Sequence, residues 1–260
     1  MSTNLLQRSL IKAYGTVAER GWLDRGPGRS LFEVCYGTYK LLWEAGTIGQ
    51  LRALATPGTM VVDVGANVGF FTVRFARWVR PGGRVLAIEP EALNAAQLAR
   101  RMQRKADGGR VEIVQGVATD HEGVEHLFVN RHHPGDHRIG LAGLEGAIPV
   151  PAHTIDGLLA GRPACRVSLI KIDVQGAELR VLRGASATLA AHRPALFVEI
   201  DEPRLQEFGT SGREVIAHLT AQGYTGHRVS RRGIGPAEEP AALAAAFARR
   251  YGDVLFLPRS

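Results

Sequence analysis

After Pro57-Gly58 the chain alternates short, nearly continuous apolar runs with longer stretches in which apolar residues recur every three or four positions. The apolar runs lie at residues 60–64, 84–89, 111–115, 169–174 and 195–200, and their length and Val/Ile/Leu content are those of strands. Between them, residues 69–78, 91–105 and 177–191 carry helical periodicity. Strands that are apolar on both faces and separated by helices predict a parallel sheet covered on both sides, so the fold class is α/β with a doubly wound sheet.

The flanks depart from this rhythm. Residues 1–56 set Leu5, Leu6, Leu10, Ile11 and Tyr14 on one helical period and then supply Trp22, Phe32, Tyr36, Tyr39 and Trp43, the pattern of a helical N-terminal cap on a main domain at 57–260. Residues 119–129 read as a hairpin arm turning near Glu122-Gly123, followed by a long polar loop, NRHHPGDHRIG. Near the C-terminus, strand patterns at 224–229 and 253–257 enclose a helical one at 241–251, a last pair of strands closing the sheet.

The first strand runs into DVGANVGFFT, a glycine-rich turn opening a helix whose first N–H groups have no partner within the helix. Gly65 and Gly69 allow a tight turn and close approach of a ligand. Glu89 ends the next strand, 20 residues past Gly69, where a carboxylate would accept from two ribose hydroxyls. A nucleoside site at the carboxyl ends of adjacent strands follows. Asn67 stands where a dinucleotide fingerprint has its second glycine, and Asp63 places a negative charge that suits an ammonium or sulfonium and repels a pyrophosphate. Both weigh toward S-adenosylmethionine and against a nicotinamide oxidoreductase; a non-catalytic nucleotide module is the third reading, set aside because the candidate acidic groups are all present. Turn formation and capping are the bland roles of Asp63 and Asn67.

Composition narrows the setting. A 260-residue chain that is 45% hydrophobic buries a sizeable core. The net charge of +7 comes from scattered arginines not interleaved with aromatics, so a solvated basic surface is expected and nucleic acid is not. Two distant cysteines give neither a disulfide framework nor a zinc site. With no signal-peptide core and no apolar run near the roughly 20 residues of a membrane span, a cytoplasmic protein without a transmembrane segment is expected.

With DVGANVG, the segments VEIVQGVATDHEG (111–123), PAHTIDGLL around Asp156 and LIKIDVQGAELRVLRGA (169–185) resemble the FkbM family of S-adenosylmethionine-dependent methyltransferases, from Asp63 through about Leu257. Gln175 departs from the Glu of many relatives. The resemblance implies a class I methyltransferase, Rossmann-like, with a seven-stranded sheet whose final strand is antiparallel, and methyl transfer to a hydroxyl of a natural product, sugar or glycolipid. It implies Asp63, Gly65, Asn67, Gly69 and Thr72 around the methionine part of the cofactor, Glu89 at the ribose and Gly116 with Val117 at the adenine edge, with Ala66, Phe70, Pro90 and Asp173 also among the cofactor-binding residues.

Methyl transfer to an alcohol needs a positioned acceptor and a base for its proton. Asp173, at the end of an apolar strand on the cofactor side, is the leading base, and Lys171, on the same strand face, would hold it ionised. Its alternative role is capping the helix that follows. Glu199 and Glu178 are further carboxylates at that end, Glu178 also suiting a helix dipole. The loop adds Asp136, His137 as an alternative base and Arg138 as a clamp for an anionic acceptor. His133 and His137 are separated by Pro134-Gly135, so no metal is expected, with Mg²⁺ on Asp173, Glu199 and a loop carboxylate as the alternative to a base. The expected function is O-methylation of a small polar metabolite, sugar or natural product, with an anionic or sugar-containing acceptor as partner. Carboxyl or nitrogen methylation is the alternative, and a homodimer the open assembly.

Overall fold

A computed structural model of the protein describes residues 48–106, 108–128, 138–139, 146–162, 165–230, 233–248 and 251–259. Most of the expected N-terminal cap lies outside the described residues; of its end, residues 48–51 are helical.

Strands β1 (Met60–Val64), β2 (Arg84–Glu89) and β3 (Val111–Gln115) coincide with the apolar runs. The next two runs shift slightly, to β8 (Val167–Ile172) and β9 (Ala195–Asp201). Together with β10 (Tyr224–Ser230), β11 (Gly233–Glu238) and β12 (Tyr251–Pro258) they form, among the described residues, an eight-stranded sheet of order β11-β10-β12-β9-β8-β1-β2-β3. β3, β2, β1, β8 and β9 are parallel, and β12 runs antiparallel between β9 and β10. The seven strands expected from the resemblance are there with the reversed last strand. The eighth, β11, pairs antiparallel with β10 through an irregular register and contains Pro236.

Alternate residues of the inner strands go to opposite faces, as strand geometry requires. Val62, Val64, Ile170 and Ile172 join one core; Val61, Leu169 and Phe197 join the other, with Phe71 and Phe75 of the first helix region. Both faces are therefore sealed, and the open ground is the sheet's edge. The chain moves outward from β1 to β3 in one direction and from β8 to β9 in the other, so β1 and β8 flank a topological switch point, where ligands bind at the strands' carboxyl ends.

Two helical expectations change. The helix after β1 is α1 (Thr72–Trp78), shorter than 69–78 because Gly69 has φ +85° and still belongs to the turn. The stretch 177–191 divides into α4 (Glu178–Arg183) and α5 (Ser186–His192). A Cβ at Gly184 would lie 1.9 Å from the Thr119 carbonyl oxygen, so the chain passes that backbone too closely to carry a side chain. The Asp156 carboxylate then accepts from the N–H groups of Ala187 and Thr188, at 2.8 Å each, and starts the second helix afresh. Asp156 lies in α3 (Ile155–Leu159). Helix α2 (Ala92–Gln103), expected over 91–105, is N-capped by Glu91, which accepts from Leu93 N and Asn94 N.

The hairpin arm is part of a second sheet of four strands, order β4-β7-β5-β6, with β4 (Val117–Ala118), β5 (Gly123–Phe128), β6 (Arg138–Ile139) and β7 (Ala147–His153). It has its own small core of Val117, Leu127, Val150 and Ala152.

Candidate active site

A cavity of about 260 Å³ opens at the carboxyl ends of β1, β2, β8 and β9, with the second sheet as its far wall. Its floor is the turn after β1. Gly65 (φ +74°) and Asn67 (φ +49°) are both left-handed, and the N–H groups of Gly65 and Ala66 donate to Ile88 O at 3.0 Å. Gly65, Ala66, Asn67 and Phe70 all reach the cavity wall, as do Glu89, Pro90, Gly116 and Val117. Of the candidate cofactor residues, Asp63, Gly69 and Thr72 do not.

Asp63 is the instructive exception. It is fully buried, its Oδ2 accepts from Thr72 Oγ1 at 2.6 Å, and its Oδ1 faces Lys171 Nζ at 3.6 Å. The expectation of a carboxylate presented to a cationic ligand is corrected: its charge is matched from within, and with Thr72 it underpins the turn. Gly69 serves the turn itself, through a left-handed backbone (φ +85°) that L side chains rarely adopt, and a Cβ there would also displace Leu98 Cδ1, 2.3 Å away.

Glu89 is on the wall but almost wholly buried. Its Oε2 accepts from Asn67 N at 2.8 Å, and its Oε1 from Glu91 N at 3.1 Å and Asn94 Nδ2 at 3.4 Å. Burial pushes its carboxyl up to about 7 against those hydrogen bonds, which pull the other way. The acid and the turn thereby form one unit.

Across the cavity, Asp173 lies just past β8, its side chain about one-fifth exposed on the wall. It is not a helix cap: the N–H groups of Val174 and Gly176 donate instead to Glu178 Oε1, at 3.2 and 3.1 Å, and the N-cap of α4 is Ala177. Glu178 is buried away from the cavity, with burial lifting it to about 7, so its place among the candidate catalytic groups is corrected to a brace for the 174–176 turn. Glu199 reaches the wall from β9. Burial first, then the charges of Asp173 and Asp253, raise it well above the usual carboxylate range. Gln175 Nε2 donates to Asp173 Oδ1 at 3.2 Å and to Glu199 Oε2 at 3.0 Å, spanning the two acids. His137 and Asp136 lie outside the described residues, and Arg138 is described only as backbone of β6.

Sequence reasoning missed the wall opposite, where Leu127 and Ile139 of the second sheet and Tyr251 of β12 border the same cavity. The alternation around Leu127 was the only local signal for it. Among the described residues no group of three or more His, Cys, Asp or Glu side chains is arranged to hold a metal, and no helix is long and apolar enough to cross a membrane.

Comparison with known proteins adds the family. The methyltransferase FkbM domain matches residues 63–225. The chain is 28% identical over 207 residues to the 31-O-demethyl-FK506 methyltransferase FkbM of Streptomyces tacrolimicus, covering 65% of this chain and 74% of that one. It is 36% identical over 73 residues to the protein-L-isoaspartate O-methyltransferase of Aeropyrum pernix, covering 27% of this chain and 28% of that one. Among solved structures, the methyltransferase FkbM of Methylobacillus flagellatus KT matches 77% of this chain with 19% identity and a TM-score of 0.46, and the chain spans 43% of that protein's length. The chain thus belongs to the methyltransferase FkbM domain family, a family of S-adenosylmethionine-dependent methyltransferases.

Proposed function

We propose that the protein methylates a neutral hydroxyl on a small organic acceptor, with Asp173 as the base. The observation that carries this reading is the pairing, on one cavity wall, of a partly exposed Asp173 with Glu199. The lining fits S-adenosylmethionine. Glu89 is an acceptor for ribose hydroxyls, the backbone of Gly65 to Asn67 offers close approach, and Pro90 and Val117 offer apolar surface to a flat ring. Bound there, S-adenosylmethionine supplies an electrophilic methyl group on a cationic sulfur.

The remaining work falls to side chains of this protein. Asp173 accepts the hydroxyl proton as the oxygen becomes nucleophilic, a role worth roughly 10²- to 10⁴-fold. Burial and its neighbours' charge push Glu199 toward keeping its proton, which lessens the negative charge beside Asp173. Leu127 and Ile139 keep water from the far side. Lys171 on the described wall is engaged by Asp63, Asp173 and two carbonyls rather than offered to an acceptor, and an anionic acceptor would meet the charge of Asp173. This favours the hydroxyl reading over carboxyl methylation.

The test is a panel of alcohols, polyols and carboxylic acids with methyl-labelled cofactor. Label should enter hydroxyl compounds, and Asp173→Asn should lower kcat roughly 10²- to 10⁴-fold while changing S-adenosylhomocysteine affinity less than about tenfold. Transfer to acids alone, undiminished in Asp173→Asn, would refute the assignment.

A further inference from the structure

Lys171 is a buried ammonium in the middle of the site. Its side chain is 3% exposed. Nζ donates to Gly65 O at 2.8 Å and to Val64 O at 3.1 Å, and stands 3.4 Å from Asp173 Oδ2 and 3.6 Å from Asp63 Oδ1. The Phe71 ring covers it, with its centroid 5.4 Å from Nζ. Backbone contacts run parallel to these: Asp173 N donates to Val64 O at 3.2 Å, and a Cβ on Gly65 would sit 1.9 Å from Asp173 O. The cofactor turn and the acceptor-side carboxylate are therefore two ends of one joint, and Lys171 is its pin.

We infer that Lys171 is a positioning residue that couples the two halves of the site, fixing the Val64 and Gly65 carbonyls beneath the cofactor while holding Asp173 charged and aimed at the acceptor. The physical reason is that four oxygens, two of them anionic, converge on one ammonium in a place water does not reach, where such contacts are strong and directional. Among the described residues, a neutral residue at 171 takes away the positive charge 3.4 Å from Asp173 Oδ2, while the acidic Glu199 of β9 and Glu178 of α4 and the uncharged Gln175 amide stay beside it. Asp173 would then take up a proton more readily and lose its use as a base. The inference deepens the proposed function and rests on Asp173 being the base.

The experiment uses the full chain and three variants: Lys171→Met, Lys171→Gln, and Lys171→Met combined with Asp63→Asn, which removes the buried charge that Lys171 otherwise matches. Two quantities are read beside a thermal melt. One is S-adenosylhomocysteine affinity by calorimetry. The other is the pH titration of the Asp173 carboxyl carbon by NMR, assigned from its loss in Asp173→Asn. The coupling role predicts that Asp173 binds its proton at least about tenfold more tightly in all three variants. S-adenosylhomocysteine affinity should fall about tenfold in the two Met variants and less in Lys171→Gln, which keeps a donor for Gly65 O. A purely structural lysine would lower the melting temperature and move neither reading, and folded variants with wild-type values for both would overturn the inference. Failure of all three to fold would also overturn it, in favour of a structural role. Loss of S-adenosylhomocysteine binding by the unmodified protein strikes at the cofactor site instead. Full methyl transfer by Asp173→Asn strikes at the base.

Discussion

The floor of the cavity and its far wall are built differently. The floor is tied by buried, multiply bonded groups: Glu89 takes Asn67, Glu91 and Asn94, Asp63 takes Thr72, and Lys171 takes Val64 and Gly65. The second sheet has a core of only a few side chains of its own, and it meets the body at Ala118, which joins the large core, at Thr119, packed against Gly184, and through polar pairs. Arg180 of α4 reaches Asp120 at 3.1 Å and Glu125 of β5, and Glu122 accepts at 2.8 Å from the N–H of Thr154, the cap of α3. A rigid floor suits a cofactor whose shape never changes. A wall with so small a core of its own, held in part by partly exposed ion pairs, adjusts at lower cost than the floor.

This contrast breaks most sharply at Gly65. Gly65→Ala forces a Cβ onto the Asp173 carbonyl and a left-handed residue to carry a side chain. At roughly 1–3 kcal/mol of strain, S-adenosylhomocysteine affinity should fall about 5- to 150-fold by calorimetry. An affinity unchanged would mean the floor is as pliant as the wall.

The second test uses proton linkage at Glu89. Burial raises its carboxyl from 4.5 to about 7. Its contribution to the stability of the ligand-free fold is thus fully present below 4.5 and lost as pH rises through about 7. Ribose hydroxyls donate to the ionised form, so affinity should run the other way, falling by up to about tenfold per pH unit below 7. Binding titrations from pH 5.5 to 8 should show that slope, and Glu89→Gln should flatten it. The smallest effect belongs to the wall: Arg180→Ala should change stability by only about 0.2–1 kcal/mol in denaturant melts, with cofactor affinity intact. A larger loss would make the second sheet part of the rigid body.

The floor's strands were legible in sequence because an inner parallel strand is apolar on both faces and has no other way to be satisfied; β1, β2 and β3 are placed to the residue. The same local logic misread Asp63, whose type and position suit a ligand but whose partners, Thr72 and Lys171, lie 9 and more than 100 positions away. Asp173 could pass for a helix cap until Glu178 was seen holding those N–H groups. The break at Gly184 follows from a contact with Thr119, which no periodicity within the helix encodes. β7 was hidden by Pro149 and Pro151, which look like punctuation and are tolerated because so short a β4 pairs only with Ala152 and His153 on one side.

The eighth strand has a bearing on how copies of the protein behave in a crowd. β11 ends the large sheet with a shifted register, glycines at 233 and 235, and Pro236, which has no N–H to offer. Among the described residues, a rim of that kind is a poor template for another molecule's sheet, which works against edge-to-edge pairing at the end farthest from the chemistry.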